Sequence, residues 1–126
     1  MESFMIYQKL TVYKLAKELA VEIYKITEKM PSNEIYGLIS QITRAAVSIP
    51  SNIAEGSSRN SVKDQIRFIE IAYGSLLELS CQLEIAFELN YIDKYQFDNL
   101  KSKIKDLSVR LSNYRKSKQN SLNQEK

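Results

Sequence analysis

Apolar residues fall into four blocks along the chain, each stepping by alternating threes and fours, the spacing that lines one face of an α-helix. Val12, Ala16, Leu19, Ile23, Ile26 and Met30 place a first helix at about residues 7–29, ended by Pro31, which disfavours helix at the residue before it. Ile35, Leu38, Ile42, Ala45, Ile49 and Ile53 place a second at 32–55, with Ser32 as its cap, Glu34 in its first turn, Pro31 and Tyr36 as a hydrophobic staple, and Gly56 as its left-handed terminator. After the polar stretch 57–60, Ser61 with Asp64 three residues on reads as a capping box opening a third helix, 61–89. Asn90 suits a left-handed stop; Asp93 and Gln96 form a second capping box, with Ile92 and Phe97 as a staple. Phe97, Leu100, Ile104, Leu107, Leu111 and Tyr114 then carry a fourth helix, 93–116. Four long helices joined by short loops give an all-α, antiparallel up-down-up-down four-helix bundle, one domain over 1–116, and the polar stretch 117–126 is expected to be a disordered tail.

The third helix is more apolar than the others. Ile66, Ile69, Tyr73, Leu76, Leu83 and Phe87 form one stripe, and Phe68, Ile71, Leu79 and Ile85 extend beyond it. Only Lys63, Arg67, Glu70, Gly74, Glu78 and Gln82 make a polar line. Such a helix is either the most central of the bundle or covered on its second side by another subunit; because every helix of a four-helix bundle has an outer face, the interface reading is preferred.

Composition agrees with long helices: 126 residues hold only 3 glycines and 2 prolines. The net charge of +3 is unevenly spread. Residues 93–126 hold nine Lys/Arg against four Asp/Glu, and residues 61–90 two against five. There is no histidine, which removes histidine acid–base chemistry and the commonest transition-metal ligand. The single cysteine, Cys81, lies in an apolar run and reads as a buried thiol, with no disulfide framework. The start, Met1 to Ile6, is acidic and lacks a signal-peptide core, and no apolar run approaches the ~20 residues of a membrane span. A soluble cytoplasmic protein is expected.

Pro50 sits inside the second helix, where it removes one backbone donor at a cost of about 3 kcal/mol. It either bends the helix for packing, with Ser51 or Asn52 bonding the freed carbonyls, or exposes polar backbone near Arg44, Ser48, Asn52 and Glu55 to a partner.

No catalytic constellation, cofactor motif or phosphate-cradling loop is present. Glu78, Glu84 and Glu88 share the third helix, but the Glu-x-x-His pairs of a bundle di-metal centre are missing, so a solvated acidic edge is the reading. The basic residues Lys94, Lys101, Lys103, Lys105, Arg110, Arg115 and Lys116 surround the polar faces of the fourth helix, with Lys94–Asp98 and Lys105–Asp106 as local pairs. Lys9, Lys14 and Lys17 add charge on the first, its neighbour in this topology. A shared basic surface of this kind suits nucleic-acid phosphates, read by charge rather than base sequence.

The segments Ile35-Tyr36-Gly37-Leu38, Gln41 through Gly56 with its core Ser48-Ile49-Pro50-Ser51-Asn52-Ile53-Ala54-Glu55-Gly56, and Ala72-Tyr73-Gly74-Ser75-Leu76-Leu77-Glu78-Leu79 resemble the signature of a small family, the four-helix-bundle proteins named after the intervening sequences of bacterial 23S ribosomal RNA genes. The resemblance runs from about Tyr7 to Tyr114. It implies an up-down-up-down bundle that assembles into a homopentamer around a central channel, and no catalytic residue. It marks Arg44, Ser48, Pro50, Asn52, Glu55, Gly56, Gly74, Ser75 and Glu78 as motif residues for structure and assembly. Similar in fold is the accessory variability determinant of diversity-generating retroelements, a basic pentamer that binds nucleic acid and a reverse transcriptase; this chain is less basic. Together these features imply a non-enzymatic oligomer associated with RNA or DNA, or with a protein partner such as a reverse transcriptase. The alternative is a protein–protein adaptor ring that binds no nucleic acid.

Overall fold

The computed structural model describes residues 6–124. Four helices carry the fold: α1, Thr11–Thr27; α2, Leu38–Ser57; α3, Val62–Glu88; and α4, Lys94–Gln124. Short 3-10 turns, Ile6–Lys9 and Ser32–Glu34, precede α1 and α2. Each helix packs against its sequence neighbour and α4 returns to α1, most loosely, with no diagonal contacts: an up-down-up-down bundle. Its core is aliphatic, centred on Ile23, Ile42, Ile49, Ile53, Leu76, Leu79, Leu83, Leu100, Leu107 and Leu111, all fully buried.

Cap chemistry sets several of the boundaries. Ser61 Oγ accepts from the Asp64 amide at 3.0 Å. Asp93 and Gln96 complete a reciprocal box: the Gln96 amide donates to Asp93 Oδ1 at 2.7 Å, and the Asp93 amide to Gln96 Oε1 at 3.1 Å. Asn90, with φ 63°, ends α3 in the left-handed region, and the amides of Asn90 and Tyr91 close back on the Phe87 and Ala86 carbonyls, both at 2.9 Å.

Other boundaries differ from the sequence reading. The first helix starts at Thr11, because the chain runs extended at Leu10 between the 3-10 turn and the helix. The Tyr7 ring stacks edge-on against Tyr13, with centroids 4.8 Å apart, and this holds the turn beside α1. The second helix starts at Leu38 rather than Ser32. Ser32 makes no cap bond, and Tyr36 is 98% exposed, so no staple forms. Glu34 does the capping instead: its Oε1 accepts from the Leu38 amide at 3.3 Å. A Cβ at Gly37 would sit 2.8 Å from that same oxygen, so glycine leaves the carboxylate room to reach the helix end. Tyr91 Oη donates to Glu34 Oε2 at 2.8 Å and ties the α1–α2 loop to the α3–α4 loop.

Gly56 lies inside α2 and is buried, with no left-handed φ. Its role is close approach: a Cβ there would meet Phe68 Cβ of α3 at 2.7 Å. The tail expected to be disordered is helical to Gln124. Nothing in 112–124 stops propagation, and Lys118 over the Tyr114 ring (5.6 Å) and Gln119 to Asn123 (3.3 Å) support the added turns. Glu125, Lys126 and the first five residues, on which the signal-peptide argument rested, lie outside the described residues.

On α3, Phe68 and Leu79, assigned to the second apolar side, are buried within the chain, as is Gln82 from the polar line. Ile71 and Ile85 stay 41% and 46% exposed. Cys81, expected to be buried, is exposed on the same outer line.

Candidate nucleic-acid interface

The motif around Pro50 builds the joint between α2 and α3. Pro50 is buried and its helix is continuous. The carbonyl its ring frees is that of Ala46, yet Asn52 Nδ2 donates to the Ser48 carbonyl at 2.8 Å and to Ser48 Oγ at 3.0 Å. Ser48 Oγ in turn meets Ser75 Oγ across the helix interface at 2.8 Å. Glu55 pairs with Arg59 at 2.8 Å, and Glu78 accepts from Gln82 Nε2 at 3.2 Å. Arg44 is exposed, and Gly74 has nothing within 4 Å of a hypothetical Cβ. Ser48, Asn52, Ser75, Pro50 and Gly56 thus serve the fold, while Arg44, Gly74 and Glu78 face outward.

The basic residues predicted on α1 and α4 do not merge into one patch. Lys103 reaches Glu22 Oε2 of α1 at 2.5 Å, where Asn99 Nδ2 also donates to Glu22 Oε1 at 2.9 Å. Glu18, Glu22 and Asp106 line this α1–α4 seam, so it is acidic as much as basic. Arg110 is held by Asp106 at 3.1 Å, Lys94 by Asp98 at 3.0 Å and Arg115 by Glu70 of α3 at 2.8 Å. Asp106 therefore pairs with Arg110, not with Lys105. Lys101 lies over the Phe97 ring at 5.4 Å, away from the seam, and Lys105, one turn on at about 3.6 residues per turn, shares its side. Lys9, Lys14 and Lys17 are exposed, Lys17 over the Tyr13 ring at 5.8 Å.

What the fold does instead is sort charge along the bundle axis. The contacts Ser48–Ser75, Glu22–Lys103 and Glu70–Arg115 set the helix register, and mid-height falls near Lys17, Ala45, Glu78 and Leu107. The half holding the start of α1, the end of α2, the start of α3 and the end of α4 (6–17, 45–78, 107–124) carries ten Lys/Arg against four Asp/Glu. The other half (18–44, 79–106) carries seven against nine. Arg59, Lys63 and Arg67, absent from the sequence-based set, join Lys9, Lys14, Lys17, Arg110, Arg115 and Lys116 at the basic end, where Lys118, also outside that set, adds a further cation. Arg59 and Arg67 both stand over the Phe68 ring, at 4.7 and 5.4 Å. The signal for them is local, three cations around the α2–α3 loop; a charge balance over 61–90 hides Lys63 and Arg67 among the acidic residues of α3 and leaves Arg59 out.

Tyr91 has its phenol raised above 10.0, first by the hydrogen bond to Glu34, then by desolvation and the carboxylate's charge. Tyr114 is raised by burial. Among the described residues no group of three metal-ligating side chains comes together, and no helix is long and apolar enough to cross a membrane.

Residues 8–113 match the family described as 23S rRNA-intervening sequence protein. The chain belongs to this family. The fold agrees with a solved member of the S23 ribosomal protein family from Bacteroides thetaiotaomicron, a protein of unknown function: TM-score 0.76 at 26% identity, over 84% of this chain and 99% of that one. No curated protein matches the chain. As an intervening-sequence protein it carries the Pro50 motif within the matched region, as the α2–α3 joint described above.

Proposed function

We propose that this intervening-sequence protein is a non-enzymatic, self-assembling cytoplasmic bundle that holds nucleic-acid phosphates at its basic end. The observation that carries the proposal is the axial sorting of charge, ten cationic against four anionic side chains in one half. A surface of this kind neutralises phosphates without reading bases, so its binding falls steeply as salt rises and counterion release weakens. The experiment is a titration with structured RNA and duplex DNA at several salt concentrations. The expected result is binding at low salt with a steep salt slope, reduced by Lys14→Glu, Lys63→Glu and Lys116→Glu more than by Lys101→Glu and Lys105→Glu at the other half. Absence of binding at low salt favours the adaptor reading.

Assembly is supported by a separate observation. Ile71, Gly74, Glu78 and Cys81 form an exposed line on α3 at alternating three- and four-residue steps. Gly74, inside a helix and with open space within 4 Å of where a Cβ would sit, has the small profile that lets another helix approach. A pentamer follows from the family resemblance; light scattering behind size exclusion should give five times the 14.6 kDa chain mass, and a monomer at micromolar concentration excludes assembly.

A further inference from the structure

The end of the bundle away from the basic half has a groove of its own. It lies between the last turns of α3 and the first of α4, encloses about 490 Å³, and is lined by Glu84, Ile85, Glu88, Leu89 and Phe97. Ile85 and Leu89 are 46% and 49% exposed, a large apolar surface for one helix end. Phe97 stacks face-to-face on Phe87, centroids 4.4 Å apart and planes 5° from parallel, which gives the groove a firm floor. Glu84 and Glu88 stand one turn apart on its wall. Among the described residues neither makes an ion pair or a side-chain hydrogen bond. Of the nearby cations, Lys94 is engaged by Asp98 and Lys101 lies over the Phe97 ring.

We propose that this groove docks a cationic amphipathic helix of another protein. Two apolar side chains one turn apart on that helix cover Ile85, Leu89 and Phe97, and flanking Lys or Arg side chains meet Glu84 and Glu88. Charge complementarity selects this occupant. An acidic or uncharged segment seated here strips water from two carboxylates without replacing it, whereas a basic one pairs them. The wider field acts in the same direction: this half of the bundle carries seven cationic against nine anionic side chains, and the opposite half ten against four, so a basic segment is drawn to the groove and repelled from the far end. The carboxylates equally turn phosphates away from this end.

The test uses the full chain and two fluorescein-labelled peptides of one helical Leu pattern, one with Lys and one with Glu at the polar positions, followed by anisotropy. The Lys peptide should bind and the Glu peptide should not. Glu84→Lys with Glu88→Lys should weaken binding at least tenfold, Leu89→Gln should weaken it with no change of charge, and Lys116→Glu should leave it unchanged. All four positions are exposed, so circular dichroism should report an intact bundle. Equal binding of both peptides, no binding of the Lys peptide, or unchanged binding by the Glu84/Glu88 double variant overturns the proposal. A change in the chain's own assembly state in that double variant also overturns it, since the groove then belongs to a contact between copies.

Discussion

Ser48 Oγ and Ser75 Oγ lie 2.8 Å apart, twenty-seven residues distant in sequence, and form the hydroxyl bridge between α2 and α3 two residues from Pro50. Asn52 completes the arrangement by donating to both the carbonyl and the hydroxyl of Ser48. A proline inside a helix weakens its local hydrogen bonding, and here polar side chains of two helices tie the same region together. The Ser48–Pro50–Asn52 part of the motif is thus a joint between helices, while Arg44, Gly74 and Glu78 face outward.

Because the bridge is partly buried, removing one hydroxyl leaves its partner short of a bond. Ser75→Ala is expected to lower stability by about 1 kcal/mol in urea unfolding. In a double-mutant cycle Ser48→Ala with Ser75→Ala should cost less than the two single changes added together. Strict additivity would show that the bridge carries no coupling.

Gly56 and Gly74 should respond oppositely to the same substitution. At Gly56 a Cβ collides with Phe68 Cβ at 2.7 Å, so Gly56→Ala should destabilise by about 1–3 kcal/mol. At Gly74 the space is open, so Gly74→Ala should stabilise the isolated chain by up to about 1 kcal/mol through helix propensity. If α3 meets another copy at this point, the same change should weaken assembly in light scattering.

Helix caps give a sharper contrast. Asp93→Ala removes half of a reciprocal box and should cost about 1 kcal/mol. Ser32→Ala removes no cap bond and should leave the melting temperature unchanged. Glu34→Ala should destabilise, since it takes both the Leu38 cap and the Tyr91 link with it.

The Tyr91 phenol gives a pH readout. Its proton is held more tightly in the folded chain than in the unfolded one, because the hydroxyl donates to Glu34. The stabilising effect of that proton is therefore complete below the ordinary value of 10.0 and lost as pH rises through the raised folded value. In an ultraviolet titration of tyrosinate, Tyr91 and Tyr114 should ionise late, and Glu34→Gln should move Tyr91 back toward 10.0 without moving Tyr114.

The four apolar stripes and the two caps at Ser61 and Asp93 were legible along the chain, because helical periodicity and capping are written within a few neighbouring residues. The Glu34 cap was not, since Ser32 offers an equally good local signal and only the 3-10 turn at Ser32–Glu34 decides which oxygen reaches the Leu38 amide. The close approach at Gly56 was missed for a similar reason: a glycine near a helix end reads as a terminator until Phe68 is seen packed against it. Helix past residue 116 was missed because polar composition says nothing about propagation from a helix already anchored at Leu111.

By itself, then, the order of residues determined that four helices form, which face of each is apolar, and which family the chain resembles. The tertiary structure decided which charges stand together. Antiparallel packing puts Lys9, Lys63 and Lys116 at one end although they are far apart in sequence, and sets Glu22 against Lys103 where a basic seam had been expected. Charge acts through space over roughly 8 Å at physiological salt, not along the chain, so its pattern becomes readable only once the helices are assembled.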